Sequence, residues 1–485
     1  MTGTLTRVEK INPFMSFLNF FKGVAVDFVR GDFFVKLSAL IMGAGYFRRK
    51  QIVKGFLVTL FQIVIILFAV FFAAHYIDRL PTLGTVRFET VFNPETMRNE
   101  VSDFDHSFQI LLYGISSIVV LLAAFFMYLR NISNVRALQV KAEKGEHISS
   151  FIEDVKSAGD KRFHVTLLTL PCLGVIAFTI IPLIIMISVA FTSYDQFNMP
   201  PASLFTWVGL DNFRTLFGDD MGSTFGYAFG RVLTWTLIWA FAATFSNFFL
   251  GIFLASFINN SKTKLKKLWR TIFVVTIAVP QFVSLLVVRN FFAQTGIVNF
   301  FASEVGLTEF LINIGMVPSH LTYIPFLSHP MWARTMIILI NIWIGVPFTM
   351  LIATGVLMNI PKDLYESARI DGASPFKQFI YITMPYMMFV TAPFLVTQVI
   401  HNINNFNVIF LLTQDVFRTT DLNLSQANAR EVDLLVTWLF RLTQEQWNYR
   451  MASTIGIMVF VVCAVITLIA FNTIINRNKE DKFQL

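Results

Sequence analysis

Charged side chains are scarce in this chain: they make up 14% of its 485 residues. Soluble proteins carry about 25% charged residues, so the composition excludes an ordinary soluble domain. Hydrophobic residues make up 55% of the sequence, and phenylalanine alone accounts for 55 positions. This balance is typical of an integral membrane protein, in which phenylalanine packs between helices and against lipid.

Cysteine and nucleotide-binding motifs are also scarce. The only two cysteines, Cys172 and Cys463, lie in apolar runs, so neither a disulfide framework nor a zinc site is predicted. The sequence has no GxxxxGK[ST] phosphate loop, so we do not expect this chain to bind and hydrolyse ATP. The net charge of +8 is expected to anchor cytoplasmic loops rather than to bind nucleic acid.

Eight apolar runs are long enough to cross a bilayer core about 30 Å thick, for which a helix needs about 20 residues. They lie near residues 54–77, 108–129, 164–193, 232–258, 270–292, 335–358, 386–412 and 452–475. Pro280 and Gln281 interrupt the fifth run, and the seventh contains Pro393 and four asparagines. Such breaks are tolerated where protein or a water-filled cavity covers the freed backbone. The sequence thus predicts an all-α integral membrane protein.

Three regions are predicted along the chain. Residues 1–53 are basic and amphipathic, and we expect a helix there to lie at the cytoplasmic lipid interface. Residues 54–162 comprise two transmembrane helices and a cytoplasmic linker, and residues 163–485 form a six-helix core. The apolar run at 33–47 is too short to span a membrane and contains Lys36.

Loop charges predict the orientation of the spans. The segment after the fourth span carries four lysines and no acidic residue, and segment 130–162 carries seven basic residues. Segment 78–107 instead contains six acidic residues. With an even number of spans, both termini and residues 360–385 are predicted to lie in the cytoplasm.

A polar interruption at 360–385 separates the sixth and seventh spans. Asp363 is predicted to cap a helix that begins at Leu364, with Glu366 completing a capping box. Gly372 is predicted to end that helix in a conformation with positive φ.

A second short helix is predicted after this glycine. Ser374 would be its N-cap and Pro375 its first-turn proline, and Pro385 is expected to close the segment. A simple connection does not need two such sets of helix boundaries, so the segment is expected to bind a partner.

This segment resembles the EAA loop of ABC importer permeases, whose pattern is E-A-A, three residues, G, nine residues, I-x-L-P. The matching residues are Glu366, Ser367, Ala368, Gly372, Ile382 and Pro385. Serine replaces the middle alanine, and Met384 replaces the leucine. The resemblance implies a type I permease fold in which these residues form a cytoplasmic coupling helix, held in a cleft of a separate ATP-binding subunit.

Other stretches resemble the carbohydrate-uptake permeases, in particular the larger, eight-span permease of maltose/maltodextrin importers. They are FTWVGLDNF at 205–213, NIWIGVPF at 341–348, NINNFNVIFLLT at 402–413 and VDLLVTW at 432–438. Two features depart from that type. The Gly-Gly-Pro that often follows the seventh span is absent, and segment 194–231 is too short for the large domain that some relatives insert.

Polar residues recur on one predicted face of the seventh span, and Asn341 lies on a face of the sixth span that repeats at i, i+3, i+4 and i+7. Because exposing amides to lipid would cost several kcal/mol, these side chains should face a cavity or another helix. The resemblance implies a transmembrane sugar site lined by Asn341, Ile344, Gly345, Phe348, Gln398, His401, Asn402 and Asn405. The alternative is that the amides only bond neighbouring helices. Relatives often hold an aromatic residue at position 401.

These features predict a permease subunit of a carbohydrate ABC importer in the bacterial cell membrane, for maltose or maltodextrins. The subunit would work by alternating access, without catalytic residues, metal or cofactor of its own. The partners implied are a second permease, two ATP-binding cassette subunits that bind ATP and magnesium, an extracellular solute-binding protein and an oligosaccharide substrate.

Three alternative functions predict other sequence features. A permease of the same fold for another oligosaccharide or polyol stays open. An ion-coupled secondary transporter predicts acidic residues within spans, and none lies deep in the eight runs. A membrane glycosyltransferase predicts paired carboxylates, and the nearest pair, Glu366 and Asp371, is expected to point to different faces of a short helix.

Overall fold

The computed structural model describes residues 13–94, 97–217, 224–260 and 263–481, where the regular structure is helical apart from one β-hairpin. The chain forms two compact units, residues 1–207 and 208–485. The regions predicted from the sequence, 1–53, 54–162 and 163–485, differ in their boundaries from these two units and stay a prediction. Residues 1–12 lie outside the described part of the chain.

The first unit contains three long apolar helices, α4, α5 and α7. Its elements are α1 (Pro13–Arg30), α2 (Phe33–Leu37), α3 (Ala44–Arg48), α4 (Ile52–Arg79), β1 (Thr90–Asn93), β2 (Arg98–Val101), α5 (Ser107–Glu143), α6 (Phe151–Gly159) and α7 (Phe163–Val189). β1 and β2 pair antiparallel, with Thr90 opposite Val101. The run at 33–47 forms the short helices α2 and α3, as expected of a segment that does not span.

The helix predicted in the basic N-terminal region is α1, and it packs along α5. The ring of Phe17 lies 6.5 Å from that of Phe126, and Phe21 lies 6.3 Å from the same ring. Further along, the hydroxyl of Ser133 donates to Asp27 Oδ2 (2.7 Å). The apolar side of α1 therefore contacts a transmembrane helix, and its location at a lipid interface stays a prediction.

The second unit contains the remaining long helices. Its elements are α8 (Asp211–Phe217), α9 (Thr224–Asn259), α10 (Lys266–Ala278), α11 (Gln281–Phe291), α12 (Ile297–Glu304), α13 (Leu307–Asn313), α14 (Pro330–Leu357), α15 (Lys362–Ile370), α16 (375–403), α17 (Phe406–Thr413), α18 (Leu422–Gln426), α19 (Leu435–Gln444) and α20 (Tyr449–Asp481).

Seven apolar segments of the described residues are long enough to cross a membrane: α4, α5, α7, α9, α14, α16 with α17, and α20. Helices α10 and α11 form an eighth candidate, bent by 93° between them. The bend confirms the break predicted at Pro280, because proline donates no backbone hydrogen bond and disfavours a helical conformation in the residue before it. The structure agrees with the predicted all-α membrane fold.

The segment between α17 and α20 is held by a buried ion pair. Asp433 is 1% exposed, and its Oδ1 accepts from Arg441 Nη2 (3.2 Å) and from the hydroxyl of Thr437 (3.0 Å). The indole of Trp438 is fully buried beside this pair and donates to the carbonyl of Ala427 (2.9 Å). These bonds fix α19 beside the first turns of α9 and α20.

Arg441→Met is expected to lower the free energy of unfolding by about 3–5 kcal/mol, because Asp433 would stay buried without its cation. The control, Arg214→Met, removes an exposed cation from its pair with Asp211 and should cost about 1 kcal/mol or less. Thermal unfolding of the purified chain in detergent measures both, and equal shifts for the two variants would contradict the assignment.

Candidate functional site

A small cavity of about 60 Å³ lies between α9, α14 and α16. Four of the eight predicted sugar-site residues line it: Gly345, Phe348, Gln398 and Asn402. The structure therefore brings half of the predicted set to one cavity, from the two successive spans α14 and α16.

Close packing of α9 against α14 forms one wall of this cavity. A Cβ atom at Gly345 would lie 2.3 Å from Asn247 Nδ2, and one at Gly251 would lie 2.7 Å from the Cβ of Thr349. Both distances are too short for any side chain, so each glycine lets the facing helix approach. This arrangement places the amide of Asn247 against the backbone of α14.

Hydrogen bonds fix Asn402 in the cavity wall. Its side-chain Nδ2 donates to the hydroxyl of Thr244 (2.9 Å), and its backbone carbonyl accepts from the indole of Trp239 (3.0 Å). Asn405 Nδ2 lies 3.4 Å from Asn402 Oδ1. Asn402 thus bonds a neighbouring helix, as expected if these amides only join helices, and it also lines the cavity.

Two polar groups of the cavity lack partners within the described part of the chain. The buried Asn247 Oδ1 accepts no hydrogen bond there, and the side-chain amide of Gln398 takes part in none of the hydrogen bonds formed there. A buried amide oxygen without a donor is costly, so a ligand hydroxyl or a water would stabilise this site. Both groups can serve a polyhydroxylated molecule.

A second cleft, of about 390 Å³, lies at the bend between α10 and α11. Ile344 and Phe348 of α14 line it together with Pro280, Gln281 and Ser284. Phe348 is 47% exposed and lines both this cleft and the small cavity. A partly exposed aromatic ring beside polar groups can pack against a pyranose ring.

Three predicted residues line neither opening. Asn341 is buried in α14, and its Nδ2 has no partner among the described residues. His401 is exposed although Asn402 beside it is buried. Asn405 lies beyond the end of α16 and caps α17, accepting from the N–H of Val408 (3.3 Å). The predicted common face is therefore interrupted, because α16 ends at residue 403. The role of each residue stays a prediction.

The sequence interpretation missed the contribution of α9. Thr244 and Asn247 lie one turn apart and both line the cavity. Both are polar residues in an apolar run. This criterion selected the asparagines of the seventh span, and it could have selected Thr244 and Asn247 as well.

Residues 360–385 fold into a short helix, a tight turn and the start of a long helix. α15 begins at Lys362, directly after Pro361, and no side chain caps it. The predicted cap by Asp363 and capping box with Glu366 are therefore wrong. Pro361 already has the extended backbone that precedes a helix (φ −57°, ψ 130°), so Asp363 lies inside the first turn, where its charge is favourable.

The predicted end of α15 is confirmed at Gly372, whose φ is +73°. The N–H of Ala373 donates to the carbonyl of Ala368 (2.8 Å), and the N–H of Gly372 donates to that of Arg369 (3.1 Å). These two bonds form a Schellman motif, which requires the left-handed conformation that glycine adopts without strain.

The helix that follows begins as predicted but is not short. Ser374 accepts from the N–H of Lys377 (3.3 Å), and α16 then continues without interruption through Pro385 to residue 403. The prediction that Pro385 closes the segment is wrong. A π-helical turn at Phe379–Thr383 precedes it, so the missing N–H falls where the hydrogen-bonding pattern changes.

Side-chain bonds join α15 to α16 on either side of the turn. The hydroxyls of Tyr365 and Thr383 lie 2.8 Å apart, and Gln378 Nε2 donates to the carbonyl of Ala373 (2.9 Å). These contacts make α15, the turn and the start of α16 one connected unit.

The motif residues form part of an open surface. Glu366, Ser367, Gly372 and Pro385 are exposed, whereas Ala368 and Ile382 are half-buried. Two apolar side chains next to them are also exposed, Ile370 at 87% and Phe376 at 73%. Exposed apolar groups outside the apolar spans are typical of a surface that another protein or a membrane covers.

The chain is similar to known proteins. The family described as binding-protein-dependent transport system inner membrane component matches residues 247–483. The maltodextrin transport system permease protein MdxF of Bacillus subtilis is 33% identical over 442 residues, which are 90% of this chain and 94% of that protein. The galactooligosaccharides transport system permease protein GanP of Bacillus subtilis is 32% identical over 438 residues, 90% of this chain and 96% of that protein.

A solved structure supports the fold. A chain of a bacterial ABC transporter involved in the import of the acidic polysaccharide alginate aligns with a TM-score of 0.52 and 25% identity, covering 66% of this chain and 98% of that one. With the EAA-type segment at 360–385 and the long shared alignments, this chain is a multi-pass integral membrane protein of the binding-protein-dependent transport system inner membrane component family, with the type I ABC importer permease fold.

Proposed function

We propose that this chain is a transmembrane permease subunit of a carbohydrate ABC importer, and that its substrates are maltose or maltodextrins. The observation that carries the proposal is the 33% identity to a maltodextrin permease over nearly all of both chains. The unpartnered amide groups of Asn247 and Gln398 and the exposed ring of Phe348 support it, because a sugar offers hydroxyls and flat apolar faces to such groups.

The proposed assembly has partners that supply energy and substrate. A second permease subunit completes the pathway, and an extracellular solute-binding protein delivers the sugar. Two ATP-binding cassette subunits bind ATP and magnesium and hydrolyse the nucleotide, while this chain contributes no ATPase site. The basic loops favour a topology with both termini and α15 in the cytoplasm.

Coupling is proposed to run through α15 into α16. Closure of the nucleotide-binding dimer would move α15, with Ile370 and Phe376 in contact with the ATPase and Glu366 paired with one of its basic residues. Because α16 continues from the turn into the cavity wall at Gln398, a displacement at one end is transmitted along a continuous helix. Alternating access follows when the cavity changes the side to which it opens.

Glu366→Ala is expected to reduce both sugar uptake and ATPase activity of the assembled transporter about tenfold, since a charge-assisted hydrogen bond to the partner would be lost. Membrane insertion should be normal, because Glu366 is exposed. Uptake of radiolabelled sugar into cells and ATPase activity of the purified complex are measured together.

The control for this variant is Glu304→Ala, at the end of α12, which is also exposed and should leave both activities unchanged. Unaltered uptake in Glu366→Ala would remove this carboxylate from the coupling mechanism.

Gln398→Ala is expected to raise the half-saturating sugar concentration about five- to tenfold, the loss that corresponds to one hydrogen bond. Thr397→Ala is the matched control, because Thr397 is the adjacent residue, is exposed and bonds only the carbonyl of Pro393 within its own helix (3.0 Å). Uptake as a function of sugar concentration separates the two, and equal curves would place Gln398 outside the sugar site.

A further inference from the structure

The first unit contains a preformed cleft of about 390 Å³ between α4 and α5. Leu57, Val58 and Phe61 of α4, with Met127 of α5, form its apolar wall. Arg130 and Asn134 of α5 form its polar end. We call it the α4–α5 cleft; it is far in the sequence from the proposed sugar site.

Polar side chains of the two long helices fix the floor of this cleft. The floor is the turn between α2 and α3, where the N–H of Met42 donates to Gln62 Oε1 (2.9 Å) and its carbonyl accepts from Asn131 Nδ2 (3.0 Å). The hydroxyl of Tyr128 donates to the carbonyl of Ala39 (3.0 Å). Because the backbone of the turn is bonded on both sides, the cleft keeps its shape without a ligand.

Arg130 at the polar end is exposed and unpaired. It takes part in none of the ion pairs found in the described ranges of the chain. Two nearby cations behave differently: Arg49 pairs with Asp32 (3.0 Å), and Lys54 pairs with Asp154. The fold therefore satisfies those two cations and leaves the charge of Arg130 available.

More positive charge follows along the same helix. Arg136, Lys141 and Lys144 line a groove of about 500 Å³, to which α1 contributes Arg30 and Asp27, and Glu146 also lines it. These four cations also form no ion pair among the described residues. Four cations against two carboxylates leave the groove with a net positive charge, and this charge on the same helix as Arg130 favours an anion.

The location of the cleft specifies the kind of anion. Arg130 directly follows the apolar run 108–129, so its guanidinium lies where the hydrocarbon core ends. The cleft wall below it is open, with Leu57 46% and Met127 56% exposed. An occupant therefore needs an apolar chain beside a negatively charged group. A soluble anion satisfies only the polar end, and the cationic headgroup of a zwitterionic lipid is repelled there.

We propose that the α4–α5 cleft is a binding site for an acidic phospholipid. The phosphate-bearing headgroup would bond Arg130 and Asn134, and one acyl chain would lie along Leu57, Phe61 and Met127. Basic pockets beside transmembrane helices bind anionic headgroups through the same physical terms. The proposal concerns the first unit alone and depends on neither the proposed substrate nor the proposed topology.

Native mass spectrometry of the full chain in detergent tests this site, with phosphatidylglycerol and phosphatidylcholine of identical acyl chains as probes. The wild-type chain is expected to retain phosphatidylglycerol at least about fivefold better. Arg130→Gln should lower that preference about fivefold, the contribution of one cation near a membrane surface. Leu57→Trp, which fills the cleft, should lower retention of phosphatidylglycerol without removing any charge.

The control is Arg87→Gln, which removes an exposed cation before β1 and should leave the preference unchanged. An excess of inorganic phosphate should fail to displace phosphatidylglycerol, because phosphate has no chain to occupy the apolar wall. Equal retention of the two lipids, an unaltered preference in Arg130→Gln, or displacement by phosphate would each overturn the proposal.

Discussion

The close packing of α9 against α14 is the constraint on which the candidate transport site depends. Asn247 packs onto Gly345 and Thr349 onto Gly251 at distances that exclude a Cβ atom. In a lipid environment, such small-residue contacts hold helices together by van der Waals packing and interhelical hydrogen bonds rather than by the hydrophobic effect. The two helices leave a polar cavity beside this contact, and α16 closes it.

Continuity of α16 connects this cavity to the surface of the EAA-type segment. A helix boundary at Pro385 would have separated the EAA-type segment from the seventh span. Instead, the π-helical turn before Pro385 lets α16 continue as one helix. A single helix can transmit a displacement over its length because its backbone bonds resist bending. The rigid turn at Gly372 fixes α15 on the end of that helix.

Local signals in the sequence predicted local features. The break at Pro280, the turn at Gly372 and the cap at Ser374 each depend on the conformational preferences of one or two residues, and all three were found. The predicted cap at Asp363 was wrong because the helix starts directly after Pro361. A search for capping motifs does not decide between two possible helix starts that lie so close together. The exposure of His401 and the contribution of Asn247 depend on how long helices rotate against one another, which the spacing of residues within one helix does not determine.

The central claim is that this permease couples α-glucan import to a separate ATPase. The most direct test is the ATPase activity of the complete transporter in lipid vesicles, with its solute-binding protein, over a panel of maltodextrins, galacto-oligosaccharides and alginate oligosaccharides. The account predicts that maltodextrins stimulate ATP hydrolysis at least tenfold more than the other glycans do. Stimulation by another glycan, with none by any α-glucan, would contradict it.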